Sequence, residues 1–261
     1  MTSFGGCKPL AWPALRAAVL AIHLVFGVLL AALLAVAGGR YWYRTARGQR
    51  LLARWMGVLN AILQLRIRVT GDVCDGPVLL VANHVSWLDI PALAAVAPAV
   101  FVAKAEVRRW PLIGWLSDRA GTLFLQRATL VGMRRAIDRL EAELGGGLRC
   151  VVFPEGTTTT GDDVAPFRPA LYRAAWRSAH PVQPVAIRYC REGSRDAIAP
   201  FVGDDAFVPH LWRVLRHGEV EVRLHFCRAV AASAGQRELA DATRAAIRRC
   251  LQGESTAVKV A

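Results

Sequence analysis

The sequence predicts an α/β domain carried behind one apolar N-terminal helix, and three observations lead to that prediction. From Arg66 onward, short apolar runs of strand length alternate with helical patterns, as in a sheet covered by helices. Between Ala17 and Ala37 the only strongly polar side chain is His23, which gives enough apolar length for one helix across a hydrocarbon core of ~30 Å. The charge is also unevenly spread: the chain carries a formal +13, yet its first 70 residues hold nine Lys or Arg and no Asp or Glu.

The chain of 261 residues is long enough for one sizeable core and a small accessory element. Its expected division is a membrane-anchoring and interfacial part over 1–65, one domain over 66–253, and an untethered, disordered tail over 254–261. Hydrophobic residues make up 54%, which is rich for a soluble enzyme and implies contact with lipid.

Taken in order, the apolar segment 17–37 ends in Ala35-Val36-Ala37, which also fits a signal-peptidase site. Arg40, Arg44, Arg47, Arg50 and Arg54 follow at once and argue against export. Only Lys8 and Arg16 precede it, so the charge bias puts the C-terminal domain on the cytoplasmic face of the inner membrane. A shallow helical hairpin that never crosses is the alternative topology. Residues 41–65 place Leu51, Leu52, Trp55, Leu59 and Ile62 at helical spacing among arginines, the pattern of an interfacial helix or of an amphipathic helix packed on the domain.

Strands are predicted over 66–70, 77–82, 99–103, 121–125, 149–153, 182–188 and 220–226, and helices over 87–96, 129–145, 167–178 and 236–252. The helix over 129–145 carries a stripe of Val131, Ala136, Ile137, Leu140 and Leu144, and Gly145-Gly146-Gly147 stops it. Pro184 inside the strand at 182–188 predicts an edge or a bulge there. Residues 206–217, with Phe207, Leu211, Trp212 and Leu215 among Arg213 and Arg216, are a candidate for a second membrane-facing surface.

A strongly basic chain also raises nucleic acid as a partner. Here the N-terminal positive charges flank an apolar segment, and the sequence has neither an aromatic-interleaved RNA motif nor a zinc finger, so anionic lipid is the better explanation. A basic surface also suits an acidic carrier protein. The cysteines, at 7, 74, 150, 190, 227 and 250, form no C-x-x-C pair and the histidines show no ligand spacing; both are read as indicating neither a disulfide frame nor a metal site, and no cofactor is expected.

The chemistry is concentrated where the strand at 77–82 ends in Asn83-His84 and Asp89 follows. His84 and Asp89 are five positions apart, about 140° around an ideal helix, so they meet only if a turn lies between them. With that turn, the carboxylate holds one ring nitrogen while the other takes a proton from a hydroxyl. Ser86, between them, reads as a turn residue.

Three further blocks follow in order: Gly121-Thr122-Leu123-Phe124-Leu125-Gln126-Arg127, Phe153-Pro154-Glu155-Gly156-Thr157, and Val182-Gln183-Pro184-Val185-Ala186-Ile187. With His84-x4-Asp89 in front, residues 66 to 230 resemble the family that contains 1-acyl-sn-glycerol-3-phosphate acyltransferase. The resemblance implies a glycerolipid-acyltransferase-like αβ sandwich that moves a fatty acyl chain from coenzyme A or acyl carrier protein to the free hydroxyl of a lyso-lipid, with the thioester as co-substrate. It further implies His84 as general base and Asp89 as its orienting acid, Glu155, Gly156 and Thr157 at the acceptor site, and Arg127 and Lys104 as basic positions near the acceptor.

Phosphatidic-acid-forming members typically follow the threonine with an arginine; here the position is Thr158, followed by Thr159, Thr160, Gly161, Asp162 and Asp163. Acids near a headgroup favour an amine-bearing acceptor, and the run resembles the lyso-ornithine lipid branch of the same family. Both acceptors stand at this point. A lipid-binding protein without catalysis is the reading from another class, and the intact His84 and Asp89 speak against it.

Overall fold

The computed structural model describes residues 11–39, 41–126, 129–233 and 235–257. Its centre is an eight-stranded mixed sheet. The strands are β1 (Leu65–Thr70), β2 (Leu79–Ala82), β3 (Val100–Lys104), β4 (Leu123–Leu125), β5 (Cys150–Val152), β6 (Val182–Arg191), β7 (Ser194–Arg195) and β8 (Val220–Phe226). They run in the order β1-β8-β6-β2-β5-β3-β4, with β7 folded back on β6. β6 and β8 are antiparallel, whereas β6-β2, β2-β5, β5-β3 and β3-β4 are parallel. A parallel strand is covered on both sides, which is why β2 and β5 read as unbroken apolar runs.

Helices cover both faces. Leu80, Ala82, Val151, Val185 and Ile187 build one core with α3 (Asp89–Val96) and the N-terminal helices. Leu79, Val81, Cys150, Val152 and Ala186 build the other with α5 (Leu130–Gly145), α6 (Tyr172–Arg177) and α8 (Gln236–Ala257). α8 continues to Ala257, so half of the stretch expected to be an untethered tail is helical, and 258–261 lie outside the described residues.

α1 (Ala11–Gly38) and α2 (Ala46–Ile62) form a hairpin. The His23 ring stacks on Trp55 at 4.5 Å, and Gly27 lets the same indole approach so closely that a Cβ there would lie 2.6 Å from it. Of α1, Trp12–Val36 is long and apolar enough to cross a membrane. One face is nonetheless docked on the domain. Buried Arg16 donates to the carbonyls of Ile62, Leu215 and His217, capping the end of α7 (Phe207–Arg216). The opposite face exposes Leu15, Val19, Ile22, Phe26, Leu29, Leu33 and Val36, at alternating intervals of four and three residues. α7 divides in the same way, with His210, Val214 and Leu215 inward and Val208 and Trp212 outward.

Several elements differ from expectation; α7 and the short β7 had no predicted counterpart. α4 (Ile113–Arg119) had no prediction; it is two turns long and follows Leu112, whose φ of 61° breaks the preceding pattern. β6, expected at an edge or a bulge because of Pro184, is not an edge strand and lies between β8 and β2. Pro184 falls just past the β8 ladder: its carbonyl accepts from Cys227 N–H at 2.9 Å, and the Gln183 side chain donates to the Cys227 carbonyl at 3.0 Å in place of the N–H that proline lacks.

Candidate active site

The site is assembled at the carboxyl ends of the parallel strands, where open α/β sheets keep their ligands. After β2, Asn83 continues the sheet with its side chain: Oδ1 accepts from Ile187 N–H at 2.8 Å and Nδ2 donates to the Ile187 carbonyl at 3.0 Å. His84 is thereby delivered at the edge. The required turn is present, closed by Asp89 N–H to the Ser86 carbonyl at 3.1 Å.

Asp89 is wholly buried and accepts from four directions. Oδ2 is 2.7 Å from His84 Nδ1 and receives Val85 N–H at 2.8 Å and Ser86 N–H at 3.1 Å. Oδ1 receives the Tyr189 hydroxyl at 2.7 Å. Four donors fix the carboxylate in one orientation, and an imidazole that donates to it from Nδ1 leaves Nε2 as the acceptor facing away. The His84 ring stacks on Phe153 at 4.0 Å and borders a cavity. Burial and the neighbouring Asp89 carboxylate push the Tyr189 hydroxyl well above its usual pKa, so it remains a donor.

Tyr189 lies 100 residues from Asp89, and no local pattern marks it. Tyr189→Phe removes only the hydroxyl and strands Oδ1 in the core. The expected result is a ten- to hundredfold fall in kcat with KM little changed, since a lost buried charge-assisted bond is worth ~1.5–3 kcal/mol. Unchanged kcat in steady-state assays would show that the other three donors suffice.

Glu155 does not border the cavity. It is buried, and its oxygens accept from His84 N–H at 2.7 Å and Ala165 N–H at 2.9 Å, so it clamps the backbone of His84 to the loop after β5. Burial raises its pKa, and the two backbone donors act against the rise. The structure thus gives Glu155 a positioning geometry where the resemblance implied contact with the acceptor. Gly156 (φ 77°) and Thr157 do line the cavity. A Cβ on Gly156 would come 3.2 Å from the Arg168 guanidinium, which also reaches the cavity. Lys104, at the exposed end of β3, borders it as well. Arg127 lies outside the described residues.

Thr158 is tied by its hydroxyl to the Phe201 carbonyl, and Thr159 N–H donates to the His84 carbonyl at 2.8 Å. Asp162 pairs with Arg195, and Asp163 forms a two-pronged pair with Arg248 at 2.7 and 3.0 Å. Neither borders the cavity, so the expectation that they face a headgroup is corrected: their charge is spent on cations at the outer surface.

The cavity has a volume of about 450 Å³, within the usual range for a single bound ligand. Its walls are apolar, drawn from Leu20, Leu24 and Leu34 of α1, Trp55 of α2, and Trp87 and Phe101 of the domain. Among the described residues it is lined by Lys104 and Arg168 but by no Asp or Glu. Trp87, inside the turn, donates to Nδ1 of buried His210 at 3.0 Å; His210 Nε2 faces the carbonyls of Ile198 and Pro200 at 3.0 and 3.1 Å. Burial lowers the His210 pKa, keeping a neutral ring that accepts on one side and donates on the other, so α7 and the turn are locked together.

A histidine held by a buried carboxylate beside an apolar cavity that Lys104 and Arg168 also line is an arrangement able to deprotonate a hydroxyl on an amphiphile. Comparison with known proteins agrees. Residues 64–188 match the family described as Acyltransferase. The chain is 45% identical over 207 residues to a lyso-ornithine lipid O-acyltransferase of Pseudomonas aeruginosa, covering 78% of this chain and 80% of that one. It is 35% identical over 196 residues to a 1-acyl-sn-glycerol-3-phosphate acyltransferase of Neisseria meningitidis, covering 74% and 76%. The crystal structure of a 1-acyl-sn-glycerophosphate acyltransferase from Thermotoga maritima has the same fold, with a TM-score of 0.68 at 22% identity over 94% of this chain and 95% of that one.

Proposed function

The chain belongs to the acyltransferase family and is an enzyme that acylates lyso-lipids, and from that premise we propose that its acceptor is lyso-ornithine lipid and that His84 is its general base. The observation that carries the mechanism is the His84 Nδ1 to Asp89 Oδ2 contact at 2.7 Å beside the apolar cavity.

The donor is a fatty acyl thioester of coenzyme A or acyl carrier protein, its chain in the cavity. His84 Nε2 takes the proton of the acceptor hydroxyl as the oxygen attacks the thioester carbonyl, and Asp89 stabilises the imidazolium that forms. Collapse of the tetrahedral intermediate expels the thiolate, and the imidazolium returns the proton to it. No acyl-enzyme intervenes. The exposed apolar stripe of α1 sits in the cytoplasmic membrane, with the catalytic domain on its cytoplasmic side.

The acceptor assignment is supported by the relation to the Pseudomonas enzyme and by Thr158. Where an arginine would answer a phosphate dianion, a hydroxyl is committed to the Phe201 carbonyl. Lys104 and Arg168 remain at the cavity to meet the single carboxylate of an ornithine headgroup. Purified enzyme supplied with a labelled acyl thioester and either lyso-lipid is expected to favour lyso-ornithine lipid at least ~10-fold in kcat/KM, or ~1.4 kcal/mol in transition-state binding. Equal or better use of lysophosphatidate would assign the enzyme to the other acceptor, whose phosphate those same two cations could also meet.

A further inference from the structure

On the face of the sheet away from Asp89, three ligand-bearing side chains converge. His225 of β8 and Cys227, just past its end and still paired to β6 through its N–H to the Pro184 carbonyl, are alternate residues that share a face. His225 stands opposite Ala186, whose side chain packs in the core beneath α8, and Cys250 comes from α8 itself. The ligand atoms of all three lie within 4.8 Å of one another, and the two Sγ atoms are 3.1 Å apart. From the neighbouring strand β1, Thr70 Oγ1 lies 2.8 Å from His225 Nδ1.

We infer that His225, Cys227 and Cys250 form a binding site for a zinc-type divalent cation that fastens the C-terminal helix to the sheet. Two thiolates and an imidazole are the donors that favour zinc over the oxygen-seeking magnesium and calcium. At the usual Zn–S bond of about 2.3 Å, tetrahedral angles put two sulfurs about 3.8 Å apart, so the pair has to open by less than about 1 Å. Binding exchanges the two thiol protons, released to solvent, for one divalent ion. Two thiolates then balance its charge, leaving a neutral complex suited to a half-buried place. Thr70 supplies the outer hydrogen bond on Nδ1 that orients an imidazole to bind through Nε2. Solvent takes the fourth position. A disulfide between Cys227 and Cys250 is the competing use of the two sulfurs, and it gives the imidazole nothing to do.

The test uses the full chain, reduced and freed of metal by a chelator, titrated with cobalt(II) as a coloured substitute for zinc. The expected result is one equivalent bound at micromolar cobalt, with a thiolate-to-cobalt charge-transfer band in the near ultraviolet that zinc abolishes. Cys250→Ser and His225→Gln should each weaken binding more than ~100-fold, and Thr70→Val, which touches no metal, ~10-fold. Far-ultraviolet dichroism checks that each variant folds. Cys250 and His225 are only partly buried, so two independent ligand removals are open to measurement. Absence of the band in reduced protein, a band that survives both ligand variants, or recovery of Cys227 and Cys250 as a disulfide from glutathione-buffered protein would overturn the site. Lyso-lipid turnover, read in the same samples, is independent of the outcome.

Discussion

Replacing His84 by alanine is expected to lower kcat by about 10²- to 10⁴-fold while leaving the KM for lyso-lipid nearly unchanged. The acceptor hydroxyl has a pKa far above neutrality and needs a base in reach, and the imidazole is the group at the cavity whose free nitrogen can serve. Apolar walls and the cations Lys104 and Arg168 are untouched by the substitution, so binding survives. Stability should fall only modestly, because the ring is partly exposed and its loss removes the stack on Phe153 and one of the four donors to buried Asp89, while Val85 N–H, Ser86 N–H and the Tyr189 hydroxyl remain. Steady-state kinetics with equilibrium binding of the lyso-lipid separate these effects. Turnover within tenfold of the parent would remove His84 from the mechanism, and an acyl group found covalently on the protein with thioester alone would replace direct transfer by a two-step route.

Asp89→Asn should be comparably damaging to turnover, on the order of 10³- to 10⁴-fold, and in addition destabilising. An amide has one acceptor oxygen and one donor nitrogen, but both carboxylate oxygens here receive donors. If the nitrogen takes the place of Oδ2 it faces Val85 N–H, Ser86 N–H and His84; if it takes the place of Oδ1 it faces the Tyr189 hydroxyl. Either choice sets donor against donor in a site without solvent, which costs ~1–3 kcal/mol. The first also forces the wrong imidazole tautomer. The two substitutions are thus told apart by thermal unfolding: His84→Ala should melt near the parent and Asp89→Asn several degrees below it. A fully stable Asp89→Asn enzyme would mean that the carboxylate is less enclosed than its four donors imply.

What the sequence disclosed and what it hid follow physical lines. Continuous apolar runs such as Leu79–Ala82 and the glycine-stopped stripe of α5 are local signals, and they place the sheet and its helices within a few residues. The need for a turn between His84 and Asp89 was likewise legible, because helical geometry forbids their contact without one. Long-range pairings were not. Tyr189 meets Asp89 through strand order alone, and the inward aim of Glu155 depends on where the loop before Ala165 passes. Asp162 and Asp163 were misread because their partners, Arg195 and Arg248, lie on β7 and α8. His225, Cys227 and Cys250 escaped for the same reason: two come from a strand and one from a helix docked across it, so no spacing rule applies.

The hairpin proposed to hold this protein to lipid also forms one side of the cavity proposed to receive the acyl chain: Leu20, Leu24 and Leu34 on the first helix and Trp55 on the second line it. On that proposal attachment and chain selection share one helix, the exposed stripe of α1 serving the first and its opposite face the second. A version trimmed of α1 for easier handling in water would lose its gauge of acyl length along with its anchor, and detergents that pry the hairpin loose would blur substrate choice before they reached His84.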